Sequence, residues 1–125
     1  MTVKQGLKYT STLEVTQDYT AMHLGSGTLN VFGTPAMIAL MENAAMKAVA
    51  PCIDDAQTTV GIEIHAKHLM PTKLGDTVSS EAVLTGVDGR KLTFKIRVWD
   101  SVGIIGEANH TRFIVDKEVF MGKLK

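Results

Sequence analysis

Between Thr34 and Pro51 the chain carries a run that is apolar on nearly every side, with Glu42, Asn43 and Lys47 its only polar residues. Thr34-Pro35 reads as a helix start: a hydroxyl at the N-cap, then proline at the first helical position, where its missing N–H costs nothing. Pro51 ends the run, so the spacing predicts one helix from Pro35 to about Ala50. A helix that is apolar all round is normally enclosed rather than laid on a surface.

The rest reads mainly as strands. Residues 9–16 are rich in Thr and β-branched side chains and predict a first strand, while 17–33, with Gly25, Gly27 and Gly33, predict a loop. After the helix, Thr58–His68, Thr77–Thr85, Leu92–Trp99 and Ile104–Val115 have strand composition. Asp88-Gly89 is a favoured two-residue hairpin turn, and Asp100 to Gly103 a second reversal. The predicted order is one strand, one helix and a four-strand antiparallel meander. A lone helix before such a sheet must bury itself against one sheet face. The expectation is an α+β hotdog fold, an antiparallel β-sheet wrapped around one long central α-helix. The alternative is an α+β sandwich with the helix on an exposed face.

Residues 1–125 suit a single domain able to bury a core without a metal or disulfide staple. The one cysteine, Cys52, makes no internal bridge, which fits a cytoplasmic, reducing setting. Thirteen basic residues balance thirteen acidic ones, so there is no cationic excess for nucleic acid. The opening residues lack a signal-peptide pattern. The longest fully apolar stretch, Pro35 to Met41, is far short of the ~20 residues that cross a bilayer.

Two side chains are misplaced for such a chain. On a helical wheel, Ile38, Ala39, Ala45, Met46 and Val49 all lie within about 60° of Glu42. Its carboxylate therefore sits in an apolar stripe, costly unless it is paired, protonated or facing a polar cavity. A buried Lys or Arg beside it, or local solvent, would explain it without chemistry. In Ile62-Glu63-Ile64-His65-Ala66-Lys67-His68, alternation puts Ile62, Ile64, Ala66 and His68 on one face and the charges on the other. His68 thus ends an apolar face, where a core role competes with a catalytic one. A carboxylate and an imidazole so placed form the basic unit of acid–base chemistry. Thr34 needs no role beyond capping, and lies about 12 Å along the helix from Glu42. No metal spacing or dinucleotide fingerprint is present: Gly25 and Gly27 lack the third glycine and the βαβ context.

The residues carry a resemblance. Phe32-Gly33-Thr34-Pro35, Leu40-Met41-Glu42-Asn43-Ala44, and Gly61 with His68 seven residues later resemble the fluoroacetyl-CoA thioesterase-like branch of the hotdog superfamily. Gly75-Asp76-Thr77-Val78 fits as well, and Asn109-His110-Thr111-Arg112 is similar to the family's Gly-Thr-His-Glu-Arg segment, with His110 and Arg112 in register. The resemblance implies hydrolysis of a small or medium acyl-CoA thioester. It implies a catalytic set of Thr34, Glu42 and His68, with Gly61, Phe32, Asn43 and Arg112 at the substrate. It further implies a homodimer, or a tetramer, with active sites between subunits. Coenzyme A would enter as part of the substrate, with no other cofactor. Asn43 stands where the fluoroacetyl-specific enzyme has tryptophan, and Tyr19 and Phe32 are the only aromatics of the 17–33 loop. Thioester hydrolysis is therefore implied without fluoroacetyl selectivity. A non-catalytic hotdog module binding a small acyl or aromatic ligand is the competing reading.

Overall fold

The computed structural model describes residues 2–124. Strand β1 (Lys8–Glu14) is followed by a 3-10 turn (Gln17–Tyr19) and a one-turn helix α1 (Ala21–Leu24). Helix α2 (Thr34–Val49) comes next, then β2 (Gln57–His68), β3 (Thr77–Asp88), β4 (Lys91–Trp99), β5 (Ile104–Asp116) and a short α3 (Lys117–Met121). Residues 17–33 are thus more ordered than the predicted loop. No helix among the described residues is long and apolar enough to cross a membrane.

All five strands form one antiparallel sheet in the order β1-β3-β4-β5-β2. The predicted four-strand meander is therefore corrected: β3, β4 and β5 form one, but β2 crosses to the far edge beside β5. The place next to β3 is taken by β1, paired from Lys8↔Val83 to Glu14↔Thr77. Helix α2 packs against β1, β3, β4 and β2, so strands from both edges reach it and the sheet must curl. This is the hotdog arrangement. Alternate residues of the central strands, such as Val78, Ala82 and Leu84, or Leu92, Phe94 and Ile96, form the buried concave face. They meet Met37, Met41 and Val49, while Ala44, Ala45 and Ala48 let the helix approach closely.

The enclosure is incomplete within one chain. Pro35 and Ala39 are exposed, and Ile38, Glu42, Asn43 and Met46 are half-buried, leaving an open stripe along α2. The sheet curls only part of the way, and the open side lies between its two edges. The β3–β4 reversal also differs by one residue: Asp88 pairs with Lys91, so Gly89 and Arg90 form the turn. Gly89 has φ +62° and Arg90 does not share a positive φ, the requirement of a turn with glycine first.

Candidate active site

The geometry places the sequence-derived residues in two groups along α2. The first is at the helix start. Gly33 is the N-cap (φ −79°, ψ 142°) and Thr34 is the first helical residue, with no side-chain cap bond to the helix. This corrects the expected capping role and has a chemical consequence. The Thr34 hydroxyl is free to share a 2.8 Å hydrogen bond with His68 Nδ1 at the end of β2. Phe32, fully buried, meets the His68 ring edge-on at 6.3 Å. The other ring nitrogen, Nε2, is shielded from solvent and has no protein hydrogen-bond partner. Burial pushes the His68 pKa below its ordinary value, with the Met70 backbone opposing the shift. Thr34 and His68 line an open cavity of about 330 Å³ together with Phe32, Val31, Leu69 and Met70. Gly106 pairs with His68 across the β2–β5 ladder, and a side chain there would strike the Met37 sulfur.

The second group surrounds Glu42, two turns further along. Its side chain is 41% exposed, and Oε2 lies 3.6 Å from Arg112 Nη1 and 4.0 Å from His110 Nε2. Arg112 is buried and fixed from below: Nε donates to Thr59 Oγ1 at 2.8 Å and Nη2 to the Thr59 carbonyl at 2.9 Å. Burial lowers the Arg112 pKa and Glu42 opposes it, and the guanidinium remains charged. Glu42 thus meets a buried arginine, one of the arrangements expected for a carboxylate on this stripe. Solvent reaches its other side. Gly61 provides the room, since a Cβ there would lie 2.7 Å from Glu42 Oε2.

Gly61 faces the helix because β2 is irregular. Gly61 pairs with Arg112 and Glu63 with Thr111, leaving Ile62 as an extra, 57% exposed residue. Strict alternation puts Ile62 on the inner face; the bulge turns it outward and brings Gly61 in. The only sequence signal was a glycine inside a strand, which often marks a bulge or a close backbone approach. His110 was visible only as part of a motif match, and Thr59 not at all. Asn43 goes elsewhere. Its Oδ1 accepts from Ser11 Oγ at 2.7 Å, on the β1 flank of the helix. Among the described residues, no group of three or more His, Cys, Asp or Glu is arranged to hold a metal ion.

Known proteins share this arrangement of sequence and fold. Residues 15–118 match the family described as fluoroacetyl-CoA-specific thioesterase. A fluoroacetyl-CoA thioesterase of Streptantibioticus cattleyicolor is 35% identical over 95 residues, 76% of this chain and 68% of that protein. A solved phenylalanine-to-alanine variant of a fluoroacetyl-CoA-specific thioesterase, in complex with fluoroacetate and CoA, is 31% identical with a TM-score of 0.89. That match covers 94% of this chain and 99% of the other. A hot-dog-like protein from Thermanaerovibrio acidaminovorans, 18% identical, shares the fold over 96% of this chain and 89% of its own, with a TM-score of 0.87. The chain belongs to the fluoroacetyl-CoA-specific thioesterase family, a group of hotdog-fold thioester hydrolases.

Proposed function

We propose that residues 1–125 act as one hotdog unit that hydrolyses a small or medium acyl-CoA thioester. Water adds to the acyl carbon, the carbon–sulfur bond breaks, and the products are a carboxylate, a proton and free coenzyme A. The observation that carries this reading is the Thr34–His68 hydrogen bond in the wall of a largely apolar cavity, in a chain of this family. Glu42, backed by Arg112 and open on its other side, attacks the thioester carbonyl or activates the attacking water. His68, kept neutral by burial, accepts a proton and returns it to the departing thiolate. Thr34 holds the ring or the substrate carbonyl, and the Gly61 backbone lets substrate or water come close. Phe32 walls the acyl cavity, and Arg112 acts on the substrate through Glu42. Nothing in this chemistry requires a metal or a cofactor beyond the coenzyme A of the substrate. With its lone Cys52, the protein fits the cytoplasm. A thiol-release assay across short, branched, aromatic and long acyl-CoA thioesters tests the reading. Zero rates throughout, with a ligand still bound, would favour the non-catalytic module.

The site is completed by a second copy. Strand β2 is a twelve-residue edge with one side unpaired, a ready template for another strand. Antiparallel pairing of two β2 strands about His65, with the bulged Ile62 left out of the count, sets Gly61 opposite His68 of the partner subunit. It brings Glu42 toward the partner's Thr34 and covers the open stripe of α2. Glu42→Ala and His68→Ala proteins, each inactive alone, are then expected to recover about a quarter of wild-type activity after mixing, unfolding and refolding together, since half the dimers hold one intact site. No recovery in verified mixed dimers would place each site within one chain.

Gly61→Ala gives a sharper local test. The added methyl meets the end of a flexible side chain before any backbone, so the Glu42 carboxylate moves and the strand stays. Activity is expected to fall by about tenfold or more, the scale of a misplaced reacting group, with little change in melting temperature. Wild-type turnover in Gly61→Ala would separate Glu42 from the reaction.

A further inference from the structure

We infer that His110 is a positioning residue for this reaction, turning Arg112 toward Glu42 from behind the helix. The inference rests on Glu42 being the reacting carboxylate. His110 Nδ1 lies 2.7 Å from the Glu63 carbonyl, at the first residue after the β2 bulge. A carbonyl only accepts, so Nδ1 carries the proton and donates. Burial, and to a lesser extent Arg112, push the ring pKa down; the Glu63 carbonyl and Glu42 oppose them, and the ring stays neutral at pH 7. Its Nε2 therefore presents a lone pair and accepts from Arg112 Nη1 at 3.2 Å.

That lone pair and the Glu42 carboxylate are both acceptors, 4.0 Å apart, and cannot bond to each other. Arg112 Nη1 reconciles them, with one hydrogen available for the imidazole and one for the carboxylate. The remaining contacts of the guanidinium, to Thr59, fix its plane from the opposite side. Phe94 packs against the imidazole at 6.2 Å and holds its tilt. Removing the acceptor leaves a buried N–H unpaired, and the planar guanidinium regains a partner only by shifting as a whole on its Thr59 contacts, away from Glu42. His110 touches no reacting atom, so its effect belongs to the catalytic step rather than to substrate affinity.

Two substitutions divide the ring. His110→Asn keeps a donor near Nδ1 for Glu63 and offers nothing to Arg112; His110→Gln offers an acceptor near Nε2. His110→Asn is expected to lower kcat about tenfold with KM unchanged, and His110→Gln to recover most of that loss. Equal losses in the two folded variants, unchanged kcat in His110→Asn, or an effect on KM alone would overturn the inference. A nitrogen-15 imidazole spectrum of the wild-type protein supplies an arm that does not depend on activity or on folding of the variants. It should show His110 neutral at pH 7 with the proton on Nδ1; a proton on Nε2, or a charged ring, overturns the inference. Absence of hydrolysis on every thioester, with that spectrum as expected, would instead refute the assignment of Glu42.

Discussion

Replacing Glu42 by glutamine is expected to lower kcat for acyl-CoA hydrolysis by about a thousandfold in a protein that remains folded, the upper range for loss of an acid–base group. Glutamine keeps the length and volume of the side chain. Its amide oxygen still faces Arg112, so the buried guanidinium is not left without an acceptor. What disappears is the negative charge and the ability to take a proton or form an acyl bond. Because the carboxylate is partly solvated, removing it leaves no cavity in the core. Melting temperature and dimer content measured beside thiol release make the test specific. A Glu42→Gln enzyme within threefold of wild type would remove Glu42 from the mechanism.

His68→Ala is expected to cost at least about a hundredfold in kcat/KM, since proton transfer at both the attack and the thiolate departure would pass to water. The wild-type pH profile carries the companion expectation. Burial lowers the His68 pKa, so the ring remains a competent base at pH values where an exposed histidine is already charged. The acid limb attributable to this ring therefore lies below about pH 6.5, and a limb centred well above that value would contradict the assignment. The same burial links acidity to folding. His68 and His110 both have lowered pKa values in the folded protein. Below about pH 6.5 the unfolded chain binds protons that these folded rings refuse. Their contribution to stability is thus complete above that value and is lost as pH falls toward the depressed folded values. Urea midpoints should drop between pH 7.5 and 5.5; a rise would show that the rings gain, rather than avoid, charge on folding.

Much of the molecule was legible in local pattern. The all-round apolar run became α2, and the extended segments became strands with ends close to those expected. Strand order was less accessible, because alternation says which face a residue takes and nothing about which strand lies beside it. That β1 would occupy the edge of β3 and send β2 across the sheet depends on pairing between distant segments. Glu42 and His68 were conspicuous because each interrupted an apolar pattern. Two of their supports were hidden for the opposite reason: Thr59 and the Glu63 carbonyl are ordinary in sequence and gain meaning only across the β2–β5 ladder, where Arg112, marked by its motif, turns out to bind Thr59 and face Glu42. Thr34 does not cap the helix as its spacing suggested, since Gly33 supplies the cap geometry and leaves the hydroxyl to His68.

The extra residue in β2 separates the length of that strand from its composition. With Ile62 deleted, Thr59, Gly61, Ile64, Ala66 and His68 would still fall on the inner face, in unbroken alternation. The change would remove one exposed side chain and none of the named polar groups, yet it would relax the local bend that presents the Glu63 carbonyl to His110. Chain length at this one point is therefore a separate adjustment of the site, open to insertion and deletion where substitution has little freedom.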